Sequence, residues 1–429
     1  TLNTNYVATL VNNGIIKTLG TLPQVDTTIN DSLESRTIET GILPANASLD
    51  FSVSIWVDED VTLNDDAMNK VLKSKVIVVS TPTNIKTKTE EIIAQLDTTG
   101  KCPTVNEDGS VNVTGAEVTN GYLCSAKDAY GTSYYYRGTV MNNYVKFGTW
   151  SNDAKDVVYG YYNESSDDFK EYSSLEECQN ASSHNTNCTL ISRAGKDMYW
   201  RIVRINGDGT VRVIYDGTSA HANGESSSDR QIGTSAFNGS PDNYNSSSDN
   251  AYVGYMYGAT GASTYEETHA NTNDSTIKAY IDNWYKTNIL GTANEQYLAD
   301  NIFCNDRSIS SGTPSDYSNL GYDTAKTAYR WFYFTNSSYN NKMMLTCPQQ
   351  NDAFTVSDTT NGNGALTYPV GLLSTDEIVL AGGWNGENSG YYLYSGQSWW
   401  PSSPYLFDGR GAVMRLVLSN GYANSNYYV

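Results

Sequence analysis

The six cysteines and three histidines have the widest chemical repertoire in this 429-residue chain. The cysteines fall as three local pairs, Cys102 with Cys124, Cys178 with Cys188 and Cys304 with Cys347. An even number at such spacings predicts disulfides formed in an oxidising compartment, although sequence alone does not fix the connectivity. Metal binding is the competing reading, but no CxxC or mixed Cys/His spacing supports it, so no metal or cofactor is expected. His184, His221 and His269 stand in surroundings rich in Asn, Ser, Thr and Gly. A Ser-His-Asp triad needs its nucleophile on a strained turn, and no GxSxG elbow occurs. No catalytic residue is therefore predicted, and the chain is read as a non-enzyme.

The second chemical signal is aromatic. Gly382 to Tyr428 is crowded with Trp, Tyr, Asn and Ser. Tyr and Trp offer large contact area at low entropy cost, while Asn and Ser supply adaptable hydrogen bonds. Tyr391, Tyr392, Tyr394 and Tyr405 are the expected ligand contacts, and Trp399 and Trp400, ahead of Pro401, are expected to be core and loop anchors. Asp208 and Asp108 lie in Gly-containing acidic turns without the loop-closing glutamate of a calcium loop, and read as hairpin turns.

The elements that must carry these groups are mostly strands. Tyr199 to Gly217 places two runs of β-branched and aromatic residues around Asn206-Gly207-Asp208-Gly209, which predicts a hairpin. Ser275 to Asn288 predicts a helix with Ser275 as N-cap and Ile277, Tyr280, Ile281, Trp284 and Tyr285 on one face. Thr83 to Leu96 predicts a short helical linker. Before it, Asn5 to Asn12, Thr37 to Thr40, Leu49 to Val57 and Lys75 to Ser80 read as short strands at the spacing of a β-sandwich.

Composition bounds the partners. The formal net charge is -20, from 47 acidic against 27 basic side chains, with no basic run to meet a phosphate backbone, so nucleic-acid binding is discounted. Tyr (34 residues), Gly (35), Asn, Ser and Thr dominate a weakly charged surface, the pattern of an extracellular β-rich protein. No window approaches the ~20 apolar residues of a transmembrane helix. A chain that begins at Thr1 suits a processed precursor or part of a longer protein.

Several blocks in order, YVGYMYG (Tyr252 to Gly258), HANTNDSTIKAYIDNWY (His269 to Tyr285), FCNDR (Phe303 to Arg307), YPVGLLSTDE (Tyr368 to Glu377) and SWWPSSPYLFDG (Ser398 to Gly409), follow the tryptophan hairpin. Together they resemble a module of bacterial surface proteins with the C-type-lectin and formylglycine-generating-enzyme fold. ILPANASLDFSVSIWVDED and NDDAMNKVLKSKVIVVS likewise resemble an immunoglobulin-like module of surface and biofilm-fibre proteins. The resemblance implies a mainly β chain with some α: an immunoglobulin-like sandwich at 1–83, a helical, disulfide-braced connection at 84–150, an inserted lobe at 151–198, and an α+β C-type-lectin-like domain at 199–429. It also implies a final apolar strand beyond Val429. Formylglycine-generating enzymes use reactive, metal-binding cysteines, which makes Cys304 and Cys347 the candidates to weigh; a disulfide bracing their loop fits better. Calcium-dependent lectins pair a Pro-centred motif with Trp-Asn-Asp; here only Trp384-Asn385-Gly386 stands, so Trp384 and Asn385 join the ligand candidates without a calcium site.

The function expected is that of an extracellular structural and adhesive surface protein, a pilin-like or fibre subunit that self-assembles with identical copies. Tyr6, Val7, Leu10 and Val11 mark the strand expected to be donated to a neighbour by β-augmentation. The alternative is a monomeric receptor-binding adhesin of a bacterium or phage, recognising a glycan or a host-surface protein through the Tyr/Trp-rich segment.

Overall fold

The computed structural model describes residues 6–12, 15–18, 24–25, 35–36, 52–57, 88–119, 121–161, 169–181, 187–221, 224–239, 248–310, 316–317, 320–333, 342–423 and 425–429. The chain divides into two compact units, Thr1–Asn84 and Ile85–Val429. Strands outnumber helices, and the protein is mainly β.

In the first unit, β1 (Tyr6–Asn12), β2 (Ile15–Thr18) and β3 (Ser52–Val57) form an antiparallel sheet in the order β2-β1-β3. The pairing of Asn12 with Ile15 leaves Asn13-Gly14 between β1 and β2, a sequence suited to a two-residue hairpin loop. Val7 lies opposite Trp56, and Leu10 opposite both Val53 and Lys17. Tyr6, Val7, Leu10 and Val11, the residues expected on a donated strand, stand on the central strand of this sheet, paired on both sides within the chain. The strands expected at 37–40 and 75–80 lie outside the described residues.

The second unit opens with α1 (Lys88–Ile93), which buries Ile92. Next comes a hairpin of β4 (Tyr122–Asp128) and β5 (Gly131–Arg137), followed by β6 (Tyr144–Thr149). A small three-stranded sheet then interrupts: β7 (Val157–Tyr161) lies between β8 (Phe169–Tyr172) and β9 (Cys188–Ile191). Between β8 and β9, α2 (Leu175–Asn180) is tied to β9 by the Cys178–Cys188 disulfide. The predicted tryptophan hairpin follows as β10 (Asp197–Ile205) and β11 (Val211–Gly217).

β10 organises the body. One edge takes β11, and the other is shared by β6, opposite residues 197–201, and β5, opposite 204–205. The 84–150 region therefore supplies strands to the hairpin's own sheet. Residues 85–429 form one unit instead of a connection, a lobe and a separate domain. The two hairpin turns also lock together: Gly207 donates its N–H to Asp128, and a Cβ at Gly207 would fall 2.3 Å from the Gly131 nitrogen.

α3 (Thr276–Asn288) is capped by Ser275, which accepts from the Lys278 N–H. It buries Ile277, Ile281, Trp284 and Tyr285 as its spacing predicts, and Lys278 and Asp282 besides. Trp284 meets Trp150 and Trp200 edge to face, and both of those meet Tyr215 in the same way. Such pairs add about 1 kcal/mol each beyond burial. α4 (Thr375–Ala381) has a full capping box between Ser374 and Glu377 and is wholly buried. The last sheet runs from the short strand Thr327–Ala328 through β12 (Pro404–Phe407) and β13 (Ala412–Leu416) to β14 (Ser425–Tyr428). The segment ending at Val429 thus already pairs a strand with β13, and Val429 itself is buried.

Arginines are spread through this body as buried cross-links. Arg204 bridges Asp128 and Glu377, Arg201 and Arg230 share Asp216, Arg307 pairs with Asp352, and Arg330 joins Asp306 to Asp376. Both charged residues of the FCNDR block are therefore structural, each with a partner distant in sequence.

Candidate ligand-binding surface

The Tyr/Trp-rich segment begins where α4 ends. Gly382 closes the helix at φ +123°, and the chain turns so that Trp384 runs parallel to Tyr422, with Ala423 donating its N–H to the Trp384 carbonyl at 3.1 Å. Opposite, residues 418–422 make a tight turn, with Gly421 N–H bonded to the Leu418 carbonyl and Leu418 N–H to the Tyr422 carbonyl. Gly421 has φ +79°, and a Cβ there would lie 1.8 Å from the Asn388 carbonyl, so only glycine lets the two loops close. Asn388 ties them further by donating its backbone N–H to the Asn420 carbonyl and its side-chain amide to the Gly382 carbonyl.

Side chains of both loops meet at the surface. The Tyr422 hydroxyl donates to Asn385 Oδ1 at 2.8 Å, and Asn420 Nδ2 donates to Glu387 Oε1 at 3.1 Å. Asn385, Glu387 and Asn420 are exposed and Tyr422 is half-buried. Trp384 is half-buried and packs against the core that contains Trp331, Val379 and Leu380. The result is a corner of exposed, hydrogen-bonded amides and a carboxylate beside two half-buried aromatic residues.

The other predicted contacts are elsewhere. Tyr391 and Tyr392, at 2% and 3% exposure, are core residues, with Tyr392 packed edge to face on Tyr136. Burial holds both phenols well above their ordinary range, so neither offers a wetted hydroxyl to a ligand. This corrects their assignment: alternation of YYLY with glycine looks exposed in sequence, but the segment turns inward against β5. Tyr394 is half-buried against the same core. Tyr405 lies on β12, stacked on Phe332 and beneath Arg415 at 4.3 Å, and is not part of the corner. Trp400 anchors its loop by donating Nε1 to the Ser235 carbonyl.

All six cysteines are oxidised as Cys102–Cys124, Cys178–Cys188 and Cys304–Cys347. Asp208 and Asp108 each cap their own turn by accepting from Thr210 and Ser110. His221 faces Asp229 at 2.9 Å, while His269 is buried against Tyr265, and burial pushes its imidazole down to about 2. His184 lies outside the described residues. Among the described residues no three His, Cys, Asp or Glu side chains group as metal ligands.

Glu387, Asn420 and Tyr422 were not singled out from sequence. The available signal was Asn420-Gly421, a turn dipeptide followed by an aromatic residue, whose partner loop lies more than thirty positions earlier. No family model matches this chain, and neither a curated protein nor a solved structure matches it.

Proposed function

We propose that this chain is an exported, non-enzymatic surface protein with an adhesive role. In this reading the N-terminal unit is immunoglobulin-like and the unit from residue 85 onward is of the C-type-lectin type. The observation that carries the reading is the corner at Trp384, Asn385, Glu387, Asn420 and Tyr422. Half-buried aromatic side chains beside exposed, hydrogen-bonded amide and carboxylate groups suit a ligand that is apolar on one face and hydroxyl-rich at its edge, which is the chemistry of a sugar ring. The three disulfides support an oxidising, extracellular location, and no helix among the described residues is long and apolar enough to cross a membrane. Screening the full-length chain against immobilised glycans, with Asn385→Ala and Glu387→Ala as controls, tests this. Glycan binding that both substitutions weaken at least about tenfold, or ~1.4 kcal/mol, supports it; binding that neither affects moves the site elsewhere.

A fibre-forming subunit is the second reading, and the β1–β3 ladder favours it. Six consecutive residues, Tyr6 to Val11, pair in unbroken register with β3. The same backbone bonds made between chains would give a strand-exchanged assembly at little cost in bonding. Negative-stain imaging of the full chain and of a variant lacking residues 1–12 separates the readings: filaments lost on truncation mark a fibre subunit, and dispersed particles in both mark a monomeric adhesin.

A further inference from the structure

The corner at Trp384 and Tyr422 holds its carboxylate in place without neutralising it. Glu387 Oε1 accepts the Asn420 amide at 3.1 Å, and among the described residues Oε2 takes no bond. Asn385 Oδ1 accepts the Tyr422 hydroxyl and Asn420 Oδ1 accepts the Tyr422 N–H, which leaves Nδ2 of Asn385 to donate. Unused at the corner are thus a carboxylate oxygen that accepts and an amide nitrogen that donates. Glu387 is exposed, and no cation among the described residues forms an ion pair with it. The arginines whose charge reaches Tyr422 and the nearby Glu117 are spent elsewhere. Arg415 and Arg137 are buried, and they donate to the carbonyl of Trp331 and to those of Gly115, Val379 and Leu380. Glu117 adds a second negative charge beside the same loop: its N–H donates to the Gly382 carbonyl at 3.2 Å, and its carboxylate accepts from Thr119 and Tyr122.

We propose that the sugar bound at this corner carries a free amino group, whose ammonium is held by Glu387. The inference rests on the carbohydrate reading above and narrows it to amine-bearing sugars. A hydroxyl that donates to Oε2 replaces a bond the carboxylate already makes with water. An ammonium adds the attraction of opposite charge, which makes such bonds the strong ones. Converting the amine to its N-acetyl form removes that charge and two of its three N–H donors. A sugar acid fares worst, because it meets Glu387 and Glu117 with like charge, on a chain whose formal net charge is -20. The Asn385 amide suits a hydroxyl oxygen of the same sugar, beside the half-buried Trp384 and Tyr422. In about 0.15 M salt the Debye length is about 8 Å, so the attraction of remote acidic groups is largely screened and the carboxylate in contact decides the preference.

Calorimetric titration of the full-length, disulfide-bonded chain tests this with disaccharides of glucosamine and of galactosamine, their N-acetylated forms, and a uronic acid disaccharide. Mildly acidic buffer keeps the sugar amine protonated and the carboxylates ionised. One of the two amine-bearing sugars should bind at least about tenfold more tightly than its N-acetylated form, and the uronic acid should bind most weakly. Glu387→Gln keeps the shape and the Asn420 bond, and should erase the preference for the amine. Glu107→Gln removes an equal charge from another exposed turn and should leave the preference intact. A preference that survives Glu387→Gln, or that Glu107→Gln lowers equally, overturns the proposal. So does tighter binding of an N-acetylated or acidic sugar; if Asn385→Ala and Asn420→Ala weaken that binding, the carbohydrate reading stands and the amine assignment falls. Absence of binding to any sugar, here and in the wider glycan screen, removes both.

Discussion

Glu377→Gln should reveal how the body is held together. Glu377 Oε1 lies 3.1 Å from Arg204 Nε and 3.2 Å from Arg212 Nε, while Oε2 accepts the Ser374 N–H at 2.9 Å to complete the cap of α4. Arg204 reaches on to Asp128, which also holds the Gly207 turn. Two guanidiniums thus face two carboxylates, all of them buried. The amide keeps the shape of the side chain but leaves one buried positive charge uncompensated. Breaking a buried pair costs about 3–5 kcal/mol; because Gln can still accept one bond, the lower end, about 3 kcal/mol, is expected at neutral pH. Burial opposes ionisation of Glu377, but Arg212 and Arg204 outweigh it and hold the carboxyl below its ordinary 4.5. A depressed carboxyl contributes stability that is present above its unfolded value and lost as pH falls through the folded one. The difference between wild type and variant should therefore be constant down to pH near 4.5 and shrink below it. Urea unfolding followed by tryptophan fluorescence, repeated across pH, measures both features. A loss under about 1 kcal/mol at neutral pH, or one unchanged in acid, would refute the assignment of net stabilisation to this network.

Three further outcomes are expected. Asp229 accepts from Thr218 N–H at 2.9 Å and faces His221 at 2.9 Å; burial raises its carboxyl, but these bonds outweigh it and hold the group well below the ordinary 3.8. Asp229→Asn should cost about 2 kcal/mol at neutral pH and converge with wild type as pH drops below that value, as read by thermal melts in acid. Removing Cys304–Cys347 by a double Ser substitution should lower stability by roughly 4 kcal/mol, from the loop of 43 residues it closes, seen as a lower urea midpoint. Gly421→Ala should cost at least about 2 kcal/mol through its positive φ and the Asn388 clash, and weaken glycan binding with it.

Local chemistry was legible where one segment carries its own signal. The Asn206–Gly209 turn, the Ser275 cap with its apolar face and the three local cysteine pairs all appear in the structure as the residues imply. Relations between distant segments were not. Nothing in Tyr144 to Thr149 announces that it pairs with Asp197 to Arg201 across an intervening lobe, so one sheet was divided between two regions. Tyr391 and Tyr392 were placed outside because tyrosine fits either environment, and only the packing of the loop on Tyr136 and Gly138 decides. The proposed corner joins loops whose contact depends on Gly421 and Asn388, a tertiary closeness that composition does not encode.

The central claim is that the corner at Trp384 and Tyr422 binds a carbohydrate. Its most direct test is the equilibrium affinity of the full-length chain for the strongest ligand from a glycan screen, set beside Asn385→Ala, Asn420→Ala and their double variant. The account predicts that each single change weakens binding about tenfold while leaving the unfolding midpoint within ~0.5 kcal/mol of wild type, because both side chains are exposed. Affinity unchanged in the double variant, or no carbohydrate bound by a folded and fully oxidised chain, contradicts it.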